Sequence, residues 1–310
     1  MEGKADIAVI ILAYNESLHL ARALRHIHPF AKQVFVIDSY STDDTVEIAK
    51  SFGAHVLQHP FLNYARQFQW ALDQAPITAE WVLRLDADEI IEADLCQEIV
   101  ERLPQLAPDI TGVYLNRKTI FMNKFIRHGG RFPLKLLRIW RRGKARIEDR
   151  WMDEHMYLLE GKSITFKGGF ADHCLIDLSM FTDKHNKYAS REALDVVSKQ
   201  INMELESAPD LSAESKLQQV GMKRFIKEKM YNRIPFELSA FGYFVYRYVF
   251  RLGFLDGREG LIYHLLQGFW YRFLVGAKVQ ELERALKCVS SKDEVLREIA
   301  RLTRQKVVSE

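Results

Sequence analysis

Cysteine is scarce in this chain: Cys96, Cys174 and Cys288 are an odd number, widely spaced, and form no C-x-x-C pair. That excludes a disulfide framework, gives no support to zinc or thiol redox chemistry, and fits a reducing cytosol. Long apolar runs are missing too, and no stretch of about 18 uncharged apolar residues marks a membrane span. The seven apolar residues Ile7 to Ala13 run into Tyr14-Asn15-Glu16 instead of a small-residue cleavage site, which predicts no signal peptide. Net charge is nearly absent, because 44 Lys and Arg against 41 Asp and Glu leave +3. Such a balance does not announce a nucleic-acid partner. Finally, no G-x-G-x-x-G follows the first apolar run, which argues against a dinucleotide cofactor.

What the chain does have is enough apolar content, 48% of 310 residues, to bury a core without disulfides or a structural metal. Its charge is also unevenly placed. From Lys216 to Arg284 there are 12 Lys and Arg against 6 Asp and Glu, so the basic surplus sits in the C-terminal third.

The first hundred residues alternate short apolar runs with amphipathic stretches. Ile7 to Leu12, Val34 to Ile37, His55 to Leu57 and Trp81 to Leu85 read as strands; Leu18 to Ile27, Asp43 to Phe52 and Asn63 to Gln74 read as helices. This alternation predicts an α/β fold with a parallel sheet covered on both faces. Ligands of such sheets bind beyond the carboxyl ends of the strands. That places three loops under attention: Ala13-Tyr14-Asn15-Glu16, Asp38-Ser39-Tyr40-Ser41-Thr42-Asp43 and Asp86-Ala87-Asp88-Glu89. Short strands then follow at Gly112 to Leu115, Leu134 to Trp140 and Ser163 to Lys167, before a long helix from about Thr182 to Glu206.

Asp86 and Asp88 follow a buried strand, so their carboxylates should leave one loop at the sheet edge. Close carboxylates repel unless a cation lies between them, and Mg²⁺ or Mn²⁺ commonly takes one or two carboxylates plus substrate phosphates. Asp38 ends the second strand ahead of a turn rich in backbone donors, where a carboxylate could accept hydrogen bonds from a ribose or base. Arg131, Lys135 and Arg138 alternate with apolar residues; one or two could face a diphosphate or an anionic acceptor, with the rest on the solvent side of a strand.

Taken together, Ala13-Tyr14-Asn15-Glu16, Val36-Ile37-Asp38-Ser39-Tyr40-Ser41-Thr42-Asp43-Asp44-Thr45 and Leu85-Asp86-Ala87-Asp88-Glu89 resemble the family 2 inverting glycosyltransferases. The similarity is greatest to the branch of lipopolysaccharide-core β-glucosyltransferases, and it extends more loosely to Phe254-Leu255-Asp256-Gly257. The resemblance implies a GT-A fold, a Rossmann-like nucleotide-diphospho-sugar transferase sandwich, over residues 1–206; the composition around Ser207-Ala208-Pro209-Asp210 reads as a linker at 207–215, and the basic, aromatic residues 216–310 as a helical, membrane-associating appendage. It implies that Ala13, Tyr14, Asn15 and Glu16 line the nucleotide pocket, that Asp38 contacts the uridine of a UDP-sugar, and that Arg66 lies near the base or diphosphate. Asp86 would lie toward the ribose and sugar, and Asp88 would coordinate the divalent ion. His173 matches a histidine that could complete the metal shell. In Arg150-Trp151-Met152-Asp153-Glu154-His155, Glu154 falls on the general base, with Asp153, which replaces the branch's usual histidine, as the alternative.

The C-terminal third is aromatic as well as basic. Arg247 and Arg251 share a helical face in a run of Phe and Tyr, a pattern expected to lie in the plane of an anionic membrane and snorkel both cations to the headgroups. Packing on the catalytic domain, or a homo-oligomer interface, is the competing reading. The expectation is therefore a peripheral enzyme on the cytoplasmic face of the cell membrane. It would move a hexose from a nucleotide sugar to a lipid-linked or lipopolysaccharide-type acceptor, with no role for nucleic acid. A soluble or protein acceptor, or a non-catalytic nucleotide-binding scaffold, stands as the alternative.

Overall fold

Side chains of a strand alternate between faces, and β1 (Ala5–Ala13) is buried on both. The computed structural model describes residues 4–148, 154–205, 235–286 and 301. The chain divides into two compact units, Met1–Ile176 and Asp177–Glu310.

In the first unit β1 is the hub of a nine-stranded sheet with the order β3-β2-β1-β4-β8-β6-β11-β5, and β7 adds to β6. The strands are β2 (Ala31–Asp38), β3 (His55–Gln58), β4 (Trp81–Asp86), β5 (Glu89–Ile91), β6 (Ile110–Phe121), β7 (Lys124–Ile126), β8 (Leu134–Arg141) and β11 (Lys162–His173); β9 (Ala145–Ile147) and β10 (Met156–Leu158) form a separate ribbon. Ile7, Val9 and Ile11 of β1 face a core completed by Leu83, Leu85, Ile139 and Phe170, and by Leu20 and Leu24 of α1 (Leu20–Ile27), Ala49 of α2 (Thr45–Ser51), and Leu95 and Ile99 of α4 (Ala93–Arg102). Ala8 and Ile10 face the opposite core with Phe35, Val82 and Trp140, closed by Ala65, Phe68 and Ala71 of α3 (Tyr64–Gln74). At Gly168 a Cβ would meet the Leu95 backbone at 2.5 Å, so only glycine lets α4 approach β11 this closely.

The parallel sheet expected from the sequence holds for β3, β2, β1 and β4. Beyond β4 the sheet is mixed: β8 runs antiparallel to β4 and β6, while β11 is parallel to β6. Antiparallel neighbours need no crossover helix, and between β6 and β8 the chain makes only the short β7 excursion. The registers Leu12↔Ile37 and Leu12↔Asp86 level the carboxyl ends of β1, β2 and β4, so all three candidate loops leave the same edge.

The second unit is helical: α5 (Leu178–Leu205), α6 (Phe236–Val245), α7 (Gly257–His264) and α8 (Tyr271–Leu286), with π-helical turns at Tyr246–Phe250 and Leu265–Trp270. Ala193 and Val197 of α5 pack against Leu282 of α8. In this division into units α5 groups with the C-terminal helices. The expected linker at 207–215 and the start of the basic region lie outside the described residues. Arg247 departs from the expectation of snorkelling. It is buried, its guanidinium 5.5 Å from the Tyr243 ring and 5.7 Å from that of Tyr263, whereas Arg251 is exposed. Among the described residues no helix is long and apolar enough to cross a membrane.

Candidate active site

The first two post-strand loops are fastened to each other. Asn15 has a positive φ of 54°, its N–H donates to Ser41 Oγ at 2.9 Å, and its Oδ1 accepts from the Thr42 N–H at 2.8 Å. The Glu16 N–H donates to Thr45 Oγ1 at 2.8 Å, and the Ser17 N–H to Asp43 Oδ2 at 3.1 Å. Ala13 is buried and its carbonyl accepts from the Ser39 N–H, whereas the Tyr14 ring is exposed. Asp38 is wholly buried and accepts from the Ser41 N–H at 3.1 Å and from Gln58 Nε2 at 2.9 Å. Through these bonds Asp38 fixes the turn from Ser39 to Thr42. Arg66 is exposed on the first turn of α3, where its N–H is capped by Asn63 Oδ1 at 2.8 Å.

The third loop carries a network of ions. Arg84 and Asp86 lie two residues apart on β4 and therefore share a face. Asp86 Oδ1 accepts from the Tyr64 hydroxyl, and Oδ2 accepts from Arg138 Nη2 at 3.3 Å. Arg84 is buried over the Tyr64 ring at 4.3 Å, donates from Nε to the Tyr64 hydroxyl at 3.2 Å, and donates from Nη2 to Glu154 Oε1 at 3.3 Å. Glu89, also buried, accepts from Arg138 Nη2 at 2.7 Å and from the Asp86 N–H at 2.9 Å. Burial works against ionising Asp86, but the Arg138 and Arg84 guanidiniums outweigh it and hold the carboxyl well below its usual range. For Glu154 burial wins, pushing its carboxyl up against the pull of its own backbone N–H and of Arg84. Burial likewise pushes Glu89 up, opposed by Arg138.

Asp88 and His173 meet at the adjoining edge. The His173 N–H donates to the Asp88 carbonyl at 3.1 Å, and Arg22 of α1 donates to the His173 carbonyl. The His173 ring has Arg22 Nη1 at 3.3 Å from Nδ1 and Asn123 Oδ1 at 3.2 Å from Nε2. Its pKa is lowered by burial, then by Arg22 and His19. Nearby, His19 joins this edge to the first loop. Its Nδ1 is 2.7 Å from Glu16 Oε2, and its Nε2 accepts from the Leu175 N–H at 3.0 Å, which assigns the proton to Nδ1.

The structure thus brings together Asp86 with Glu154, Asp88 with His173, and the Asn15–Glu16 loop with the turn of Asp38. Asp153 lies outside the described residues. Among the described residues no cluster of three or more His, Cys, Asp or Glu is arranged to hold a metal. Both Asp86 oxygens and both His173 nitrogens have polar neighbours of their own. A divalent ion at this edge would need phosphate oxygens and water beside a protein carboxylate, a mode usual for Mg²⁺.

Arg84, Tyr64, Glu89, Arg22 and His19 escape the sequence reading as site residues, whereas Arg138, named there as a candidate facing a diphosphate or an anionic acceptor, is placed against Asp86 and Glu89. A signal existed for Arg84, a cation between Leu83 and Leu85 inside an otherwise apolar strand, as Arg138 is between Leu137 and Ile139. Such a cation is buried only when paired. Arg22 carries no local signal, since its partner His173 lies 151 residues away.

A mixed α/β sheet whose parallel half ends in a carboxylate-rich edge is a GT-A, Rossmann-like fold. Residues 8–171, more than half of the chain, match Glycosyl transferase family 2, and the chain belongs to that family. It is 41% identical over 93 residues to an uncharacterized glycosyltransferase of Rickettsia prowazekii, a match that covers 30% of this chain and 31% of the other. It is 33% identical over 92 residues to the SPbeta prophage-derived glycosyltransferase SunS of Bacillus subtilis, covering 28% of this chain and 22% of that one. These matches span about a third or less of the relatives' lengths. Among solved structures, glucosyl-3-phosphoglycerate synthase of Mycobacterium tuberculosis, crystallised with Mn²⁺ and UDP, is 22% identical with a TM-score of 0.30, over 37% of this chain and 44% of that one. Staphylococcus aureus TarS is 17% identical with a TM-score of 0.36, over 60% of this chain and 39% of that one.

Proposed function

We propose that this glycosyltransferase is inverting and metal-dependent, and that it moves a hexose from a UDP-sugar to a lipid-linked or lipopolysaccharide-type acceptor at the cytoplasmic face of the membrane. The observation that carries the chemical part is the position of Glu154. It is largely buried, has a raised proton affinity, and is one arginine away from Asp86. A general base needs these properties. The acceptor hydroxyl attacks the anomeric carbon, the bond from that carbon to the diphosphate oxygen breaks, and the hydroxyl proton passes to Glu154. Arg84 occupies Oε1, which assigns the proton to Oε2.

Asp88 would hold the divalent ion, which when bound offsets the charge on the departing diphosphate. The Asn15–Glu16 loop and the turn fixed by Asp38 form the cradle for the nucleoside, and the exposed Tyr14 ring offers a stacking face. Choice of UDP, of a hexose and of a lipopolysaccharide-type acceptor rests on the motif resemblance. Support for a membrane surface comes from the second unit, where Phe250, Leu252, Phe254 and Leu255 are exposed beside the exposed Arg251 and Arg258.

A panel of UDP-, GDP- and dTDP-sugars with Mn²⁺ or EDTA, read by release of nucleoside diphosphate, tests donor, metal and enzyme status together. Metal-dependent release from UDP-sugars is expected. No release from any donor would favour the scaffold reading. Flotation with anionic liposomes at low salt tests the location, and a protein that stays at the bottom points to a soluble or protein acceptor.

A further inference from the structure

Arg84 is an unusual residue for its place. It lies in the central strand β4 between Leu83 and Leu85, and the residue is 8% exposed. Moving a cation from water to such a site costs several kcal/mol unless partners compensate it. Those partners are the Glu154 carboxylate at 3.3 Å, the Tyr64 hydroxyl at 3.2 Å and the Asp86 carboxylate at 3.9 Å, with the Tyr64 ring 4.3 Å and the Phe68 ring 5.5 Å from the guanidinium carbon. The two aromatic faces and the strand fix the plane of the fork, so the directions of its N–H groups are set before any substrate arrives.

Among the described residues, the Glu154 carboxylate is held by its own backbone N–H and by one side chain, Arg84. Glu154 belongs to no strand or helix, standing just ahead of β10. The backbone anchor of its segment is the Glu148 N–H to the His155 carbonyl at 2.9 Å, which places the chain but not the carboxylate. Among the described residues, Arg84 Nη2 is the side-chain group that aims it across the site, since the carboxylate's own backbone N–H ties it only to its own segment. Asp86, by contrast, has the Tyr64 hydroxyl and Arg138 as well, so the donor-side carboxylate is held without Arg84.

We propose that Arg84 is a positioning residue that orients Glu154 for proton abstraction and fixes it relative to Asp86. The inference rests on the reading of Glu154 as general base. Its prediction is a loss in turnover with little loss in donor binding, since the donor-side contacts of Asp86 and Asp88 survive without Arg84.

The test uses the full chain with UDP-glucose and Mn²⁺, read by UDP release, together with UDP binding by calorimetry and a thermal melt for each variant. Arg84→Met is expected to lower kcat by about 100-fold, within the range that general-base catalysis supplies, while donor KM and UDP affinity change less than about threefold. Arg84→Lys, which keeps the charge but not the fork, is expected to recover about tenfold of that loss. Arg84→Met in a Glu154→Gln background is expected to cost nothing further, because residues that act as one unit are not additive. If the methionine variant does not fold, the lysine variant decides, by whether its kcat falls while UDP affinity holds. Wild-type kcat in a folded Arg84 variant, a raised KM at unchanged kcat, or multiplying losses in the double variant each overturn the proposal. Near wild-type turnover of Glu154→Gln alone would instead remove the general-base reading on which the proposal stands.

Discussion

The Tyr64 hydroxyl donates to Asp86 Oδ1 and accepts from Arg84 Nε at 3.2 Å, so one phenol joins the end of β4 to the start of α3. Burial pushes the phenol well above its usual range and the Asp86 charge adds to this, against the pull of Arg84, so the hydroxyl keeps its proton and stays a donor. Tyr64→Phe preserves the ring beneath Arg84 and removes both bonds. Hydrogen bonds to charged groups are worth about 1.5–3 kcal/mol, so the donor kcat/KM should fall by about 10- to 100-fold. Steady-state UDP release from UDP-glucose measures this, and an unchanged kcat/KM would show that Asp86 is held well enough by Arg138.

The two aspartates of the Asp86-Ala87-Asp88 loop should separate into one that holds the fold and one that holds the ligand. Asp86 answers two buried guanidiniums, and Asp86→Asn leaves Arg84 and Arg138 facing an amide in place of a carboxylate. Urea unfolding should show a loss of about 1–3 kcal/mol, discounted from the cost of breaking a fully buried pair because the Asp86 side chain is partly exposed. Asp88→Asn removes a charge that faces Arg22, and should cost less stability than Asp86→Asn yet lose the response of UDP binding to Mn²⁺. Equal destabilisation by both substitutions would contradict this division.

The parallel half of the sheet and the three loops at its edge were legible in the sequence because strand period and loop composition are local properties. The edge itself followed from the rule that ligands sit beyond parallel strands, and it led to Asp86, Asp88 and the Asn15–Glu16 loop. The antiparallel half was only partly legible. β5, β7, β9 and β10 are three residues each, too short to show a period. The pairings inside the site were not legible, since Arg138 reaches Glu89 and Arg22 reaches His173 across 49 and 151 residues respectively. Arg247 shows the same limit from the other side. Helical spacing placed it beside Arg251, but burial among Tyr243 and Tyr263 is a property of the packed unit.

Asn15 should be replaceable only at a cost that its geometry sets. Its φ of 54° is in the left-handed region, and its Oδ1 accepts the Thr42 N–H at 2.8 Å. Asn15→Gly keeps the backbone conformation and loses the acceptor, which should cost about 1 kcal/mol. Asn15→Ala loses the same acceptor and adds about 1–2 kcal/mol of strain, partly offset by the smaller entropy of its unfolded chain. Urea midpoints should therefore rank wild type above glycine above alanine. Both variants should bind UDP more weakly, because the first two loops are no longer fastened together. An alanine variant as stable as the glycine variant would mean that the loop relaxes out of the left-handed region.

The pH dependence of turnover should carry the mark of Glu154. Burial raises its carboxyl above the ordinary value of 4.5, with its own backbone N–H and Arg84 pulling the other way. A general base works only when ionised, so kcat/KM should fall as pH drops through that raised value, giving an acidic limb above pH 4.5. Stability has the opposite sign. A carboxyl whose folded pKa is raised contributes stability that is present below its unfolded pKa and is lost as pH rises through the folded one. Glu154→Gln removes that loss. The urea midpoint of the variant should therefore gain on the wild type as pH rises above 4.5 and through the raised value, while its turnover falls by about 100-fold or more and loses the acidic limb. A variant that keeps the limb unchanged assigns the titration to another group, and Asp153→Asn is then the substitution that should remove it.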